Sequence, residues 1–73
     1  PAGVMVIAVQ DGGAAAEAGL REGDVVEEVS GQPVASSTAF ARALREARAG
    51  GRKHAVLLVT TQGDTRYVPL RLE

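Results

Sequence analysis

Ala14 to Val29 read AAAEAGLREGDVVEEV, an alanine-rich turn of helix that passes over two glycines into a β-branched strand. Gly19 stands where a helix ends, and Leu20 directly after it is an apolar plug. A glycine just past a helix takes φ > 0 at no steric cost, and the apolar residue that follows packs back onto the helix. Gly23-Asp24 then turns the chain into Val25-Val26-Glu27-Glu28-Val29, with Asp24 placed to accept local backbone N–H bonds and open the strand. Neither glycine requires a ligand. The stretch is a folding device.

Upstream, Gly3 to Gln10 (GVMVIAVQ) is a continuous apolar, β-branched run closed by Asp11-Gly12-Gly13, and it reads as a buried strand. Asp11 is a cap candidate for the alanine turn at 14–18, which is too short to persist without packing. Downstream, Ser30-Gly31-Gln32-Pro33-Val34 reads as a turn into a very short strand. Pro33 argues for an edge position there, because it cannot donate to a ladder. Ser36-Ser37-Thr38 supplies N-cap candidates for a second helix from Thr38 to about Arg48. Phe40, Ala43, Leu44 and Ala47 share one face of it, with Arg42, Arg45, Glu46 and Arg48 mostly away from that face. Gly50-Gly51 ends this helix. His54 to Thr61 (HAVLLVTT) is the second strong strand, and Gln62-Gly63-Asp64 a tight hairpin turn. Thr65 to Leu72 alternates, with Arg66, Val68, Leu70 and Leu72 opposite Tyr67, Pro69 and Arg71. Strands and helices mix without βαβ regularity. The expected fold is therefore mostly β with two helices (α+β), as a small antiparallel sheet or partly open barrel.

At 73 residues the chain is one small domain, 1–73, near the lower limit for folding without staples. It has no cysteine, so neither disulfide nor thiolate metal site is available. The hydrophobic share is 45%, mostly Ala and Val, so the larger side chains Leu20, Phe40, Leu44 and Leu57 carry much of the core. A net charge of −1 gives no global pull toward nucleic acid or an anionic membrane. No apolar run approaches the roughly 20 residues that span a bilayer, so no membrane insertion is expected of this segment. The chain starts at Pro1 without a signal peptide and reads as a piece of something longer.

Catalytic chemistry has little to stand on. His54 is the single histidine, at a strand start beside Arg52-Lys53, and no nucleophile-elbow motif surrounds Ser30, Ser36 or Ser37. Strand alternation sends the carboxylates of Glu27 and Glu28 to opposite sides, so they do not make an acid/base pair. Asp11, Asp24 and Asp64 lack metal-ligand spacing, and Gly12-Gly13 and Gly50-Gly51 lack phosphate-loop context. No cofactor is implied. Arg42, Arg45, Arg48, Arg52 and Lys53 hold five of the eight basic residues. They read as a solvated helix face near a helix C-terminus, or as an electropositive rim for an anionic ligand such as a peptide C-terminus or acidic side chains. Without an aromatic platform they do not suggest nucleic acid. What remains is a binding module, in which an extended peptide joins a sheet edge beside an amphipathic helix.

The residues Gly3-Val4-Met5-Val6, Ala14-Ala15, Ala18-Gly19-Leu20, Gly23-Asp24-Val25-Val26 and Val29-Ser30-Gly31-Gln32-Pro33-Val34 together resemble a PDZ domain of bacterial type. The pattern there is G-Φ-Φ-V, then P/A-A-x-x-A-G-Φ-x-x-G-D-Φ-Φ, then N-G-x-x-Φ, where Φ is apolar. The resemblance covers essentially the whole chain. The closing strand at 65–72 resembles the permuted bacterial strand order. It is most similar to a C-terminal PDZ domain of the HtrA/Deg serine proteases; site-two and tail-specific proteases carry similar modules. The resemblance implies a non-catalytic, periplasmic or cell-envelope module that binds C-termini or exposed apolar segments of unfolded proteins. It implies a covalently linked protease domain outside this chain. An interaction domain for oligomer assembly, homo-oligomers included, or for scaffolding is the other reading.

The family's carboxylate-binding loop and peptide-pairing strand come before a run like Gly3–Gln10, where this sequence has only Pro1-Ala2. The expectation is an N-terminally truncated domain, with Pro1-Ala2-Gly3-Val4 only mimicking that loop. Ser30 stands where the family has Asn or Asp. Carried over residue by residue, the resemblance leaves the helix wall as the peptide-binding set: Ser37, Ala41 and Leu44 facing the groove, with Arg45 and Arg48 at its rim. Phe40 matches a core position, and Leu44 fits core packing equally well.

Overall fold

The computed structural model describes residues Gly3–Glu73, so the loop-mimicking pair Pro1-Ala2 lies outside the described residues. The elements run β1 (Val4–Met5), α1 (Ala14–Glu17), β2 (Val25–Val29), β3 (Gln32–Pro33), α2 (Ser37–Ala49), β4 (His54–Thr61) and β5 (Asp64–Arg71). They build one open antiparallel sheet in the order β1-β2-β4-β5. β4 takes one edge of β2 throughout. β1 and β3 share the other edge, β1 at Val25–Val26 and β3 at Glu28–Val29. Both helices pack on the same face, over a core of Leu20, Val26, Val29, Leu57, Val59, Val68 and Leu70.

The stretch from Ala14 to Val29 folds as its residues direct. Gly19 has φ +86°, its N–H donates to the Ala16 carbonyl, and the Leu20 N–H reaches back to the Ala15 carbonyl, both at 3.0 Å. That pair of bonds closes the helix in a Schellman motif and drives Leu20 into the core at 6% exposure. Gly51, Arg52 and the last turn of α2 repeat the same bonds. The cap expected from Asp11 is not made: Gly13 is the N-cap, with no side-chain bond, because α1 begins three residues after Asp11. α2 starts from Ser36, whose hydroxyl accepts the Ala39 N–H at 3.1 Å.

Asp24 is the buried charge of the fold, 2% exposed. Its carboxylate accepts the Arg21 N–H at 3.0 Å and the Thr61 hydroxyl at 2.9 Å, and the Arg66 guanidinium lies 3.5 Å away. It therefore ties the turn before β2 to the β4–β5 hairpin. The Arg21 N–H, helped by Thr61 and Arg66, holds its carboxyl below the usual range against the opposing effect of burial.

Two expectations need correction. The run 3–10 is not a continuous buried strand. Pairing covers Val4–Met5 and one further step, in which Val6 donates to the Asp24 carbonyl and accepts from the Gly23 N–H, each at 2.8 Å. The β2 partner ends there at the Gly23 turn, and Met5 and Ile7 are 61% and 80% exposed. Nor do Glu27 and Glu28 simply alternate. A β-bulge falls between Val26, opposite Val59, and Glu28, opposite Leu58. The extra residue puts Val26 and Val29, three positions apart, into one core. Glu27 accepts the Thr60 hydroxyl instead of lying free.

Gly19→Val forces a β-branched residue into the left-handed region and should cost about 1–3 kcal/mol. Its melting temperature should drop by about 4–8 °C per kcal/mol; an unchanged value refutes the cap. Acid should act through Asp24. Its folded pKa lies below its ordinary 3.8, so its contribution is complete above that value and is lost as pH falls through the folded pKa. Glu17, lowered by its bond to Arg71, follows the same sign. Urea midpoints should fall below pH 4, and Asp24→Asn should lower the midpoint at pH 7 while flattening that acid limb.

Candidate functional site

An apolar furrow of about 350 Å³ runs beside β1 and reaches α2 at Phe40. β1 contributes Val4 and Met5, the residues after it Val6, Ile7 and Ala8, α1 Ala14 and Ala15, and Leu20, Val26, Phe40 and Leu70 form the rest of its walls and floor. Every side chain lining it is apolar. Val4 and Val6 turn toward the core, whereas Met5 and Ile7 lie on the other side of the strand and are exposed. Because Val6 spends its peptide groups on Gly23 and Asp24, antiparallel alternation points the N–H and C=O of Met5 and Ile7 away from β2. Among the described residues nothing pairs with that side of β1.

Ser37, Ala41, Leu44 and Arg48 stand at i, i+4, i+7 and i+11, so they share one flank of α2. Phe40 lies between that flank and the core. Ser37 and Arg48 are exposed, Ala41 and Leu44 half-buried, and Arg45 stands exposed one position round the helix. Leu44 packs against the buried cluster. The Arg48 guanidinium does not hang free: its Nε donates to the Leu72 carbonyl at 3.2 Å and pins the end of the chain to the helix. None of the five expected groove residues lines the furrow. The helix enters it through Phe40, which the sequence reading placed in the core.

The strand side of the furrow was missed altogether. Met5 and Ile7 belong to an unbroken apolar run, and such a run carries no mark of which members reach solvent. The one available signal is the alternation of Val4 and Val6 with Met5 and Ile7.

The residues considered for catalysis lie apart in their roles. Ser36 is spent on the helix cap, Ser30 sits in the β2–β3 turn, and His54 is exposed at the start of β4 opposite Arg71. Among the described residues no group of three or more His, Cys, Asp or Glu side chains is placed to hold a metal ion. Among them, too, no helix is long and apolar enough to cross a membrane.

Comparison with known proteins matches residues 5–59 to the family described as PDZ domain. Over 70 residues the chain is 37% identical to a probable periplasmic serine endoprotease, DegP-like, of Pseudomonas fluorescens. That alignment takes in 96% of this chain and 14% of the relative, so the chain spans about one-seventh of the protein it matches.

Phe40 is the one large side chain that α2 gives to the furrow wall, and it also rests on the core. Phe40→Ala should cost about 2–3 kcal/mol in thermal denaturation, below the value for a fully buried ring. Ser37→Ala, at an exposed position, should stay within about 0.5 kcal/mol. Equal stability of the two variants would show that the furrow wall is not part of the core.

Proposed function

Since the chain belongs to the PDZ domain family, a family of protein-interaction modules, we propose that it is the peptide-binding regulatory module of a periplasmic serine protease. The ligands in this reading are the C-termini or exposed apolar segments of unfolded proteins. The single observation that carries it is the unpaired edge of β1 beside an open apolar furrow that reaches α2. In this reading the free edge of β1 supplies main-chain hydrogen bonds to the domain's own upstream strand, whose outer edge then takes an extended ligand beside α2. Catalysis belongs to a separate domain of the parent protein, in keeping with the small share of the endoprotease that the chain spans.

The binding wall on the helix side is Ser37, Ala41 and Leu44, with Arg45 and Arg48 at the rim. Ala41 is small, which leaves that wall open rather than selective. The strand that pairs with the ligand lies upstream of Gly3 in this reading, docked on β1. The parent is read as a trypsin-like serine protease rather than a site-two or tail-specific one because of the DegP-like relative. A second reading, assembly of oligomers through strand pairing, is favoured by one observation, the free β1 edge itself.

Calorimetric titration with peptides ending in apolar residues tests the proposal. The version extended upstream by one loop and one strand should bind saturably, and Ala41→Arg should abolish binding without unfolding the domain. The 73-residue chain alone should bind weakly or not at all. No binding of any apolar C-terminus to the extended version overturns the peptide reading. Size-exclusion chromatography that shows only monomer counts against assembly.

A further inference from the structure

Between Arg42 and Lys53 the chain carries five cations and one carboxylate, Glu46, a local net charge of +4. The whole chain nets −1, so everything outside this segment nets −5. The asymmetry is not used up by the fold. The ion pairs among the described residues are Arg66 with Asp24 and Arg71 with Glu17, and neither involves a cation of this segment. Arg42, Arg45, Arg52 and Lys53 are all exposed, with no carboxylate within 4.0 Å among the described residues.

The helix dipole does not account for them either. Its effect fades beyond the last turn, and the one basic residue in the last turn of α2 is Arg48, already bonded to the Leu72 carbonyl. Arg42 and Arg45 stand one to two turns earlier, and Arg52 and Lys53 follow the helix. Arg42 lines the hollow between α2 and β3, and Arg52 a neighbouring hollow beside Ser30. Arg45 is exposed one position round the helix from the flank of Ala41 and Leu44. The cations thus wrap the C-terminal half of α2 from both sides.

We propose that this belt is a docking surface for acidic polypeptide, selecting ligands whose Asp or Glu residues lie along the C-terminal half of α2. The inference deepens the peptide-binding reading and rests on it, naming the class of ligand preferred. Guanidinium groups suit the task because each offers paired donors to a carboxylate. Exposed pairs are individually weak and screened by salt, so the preference is a sum over several contacts and is greatest at low ionic strength.

Two synthetic peptides with the same apolar C-terminal residues, preceded by four Glu or by four Gln, separate the possibilities. Binding is read by fluorescence anisotropy and by NMR shifts, on this chain and on the upstream-extended version. The Glu peptide should bind about tenfold tighter at ~20 mM salt, and the ratio should fall to about threefold or less at ~0.5 M. The triple variant Arg42→Gln/Arg52→Gln/Lys53→Gln should bring the ratio down to about threefold at low salt, with circular dichroism showing the fold intact. Equal affinity for both peptides overturns the acidic preference and leaves the peptide reading standing. Binding of neither peptide to either version overturns both. Tighter binding of single-stranded DNA or anionic lipid vesicles than of the Glu peptide overturns the assignment to polypeptide. A salt-sensitive dimer that the triple variant abolishes shows that the belt serves a second copy's acidic surface instead.

Discussion

The carboxylate of Asp24 is the constraint on which the arrangement of the sheet depends. It is buried, and a buried carboxylate is tolerated only when its oxygens are occupied. The groups that occupy them come from three places: the Arg21 N–H in the turn after Leu20, the Thr61 hydroxyl at the end of β4, and the Arg66 guanidinium on β5. Any displacement of the β4–β5 hairpin relative to the start of β2 would strip that charge of its Thr61 and Arg66 partners and leave it only the local Arg21 N–H. The cost of doing so exceeds that of losing a typical exposed hydrogen bond. The register Val25 to Thr60 is thereby fixed at its end, and the bulge after Val26 takes up the mismatch farther along.

That constraint explains the order in which the fold becomes legible. The residues around Gly19 and Gly23 could be read because each satisfies a local rule, a helix that must end and a strand that must begin. The same holds for the β4–β5 hairpin, where Gln62 at φ +50° and Gly63 at φ +87° make the tight turn. Ser30 at φ +52° shows why its position favours Asn or Asp, which tolerate the left-handed region better. The bulge at Glu27 could not be read, because nothing local demands it. It arises where the core needs both Val26 and Val29 and the strand period is two.

The candidate site divides along the same line. Helical periodicity gathers Ser37, Ala41, Leu44 and Arg48 on one flank from sequence alone, since a helix carries its own geometry. What lies opposite that flank is a non-local fact. Whether Gly3–Gln10 is buried depends on how many strands pair with it, and its composition is the same for one neighbour as for two. A run buried along its whole length needs two. β1 has one, and the change turns Met5 and Ile7 from core residues into the lip of a furrow.

An apolar sheet edge of this kind is ordinarily a hazard, and exposed edges are guarded by Lys, Pro or bulges that turn the strand away. Gly3–Gln10 contains no Pro and no charged residue, and the one bulge in β2 lies beyond the β1 pairing. The guard is placed at β3 instead, where Pro33 sits on the same side of β2. A chain that blocks one half of an edge and leaves the other half apolar and unguarded treats the two halves differently. A collision adds to the contrast: a Cβ on Gly3 would strike the Cγ1 of Val25, so glycine is what lets β1 sit this close to β2 with its other edge outward. The unguarded half borders the furrow, and the guarded half does not. That difference fits the proposed reading, in which a strand upstream of Gly3 joins the open half.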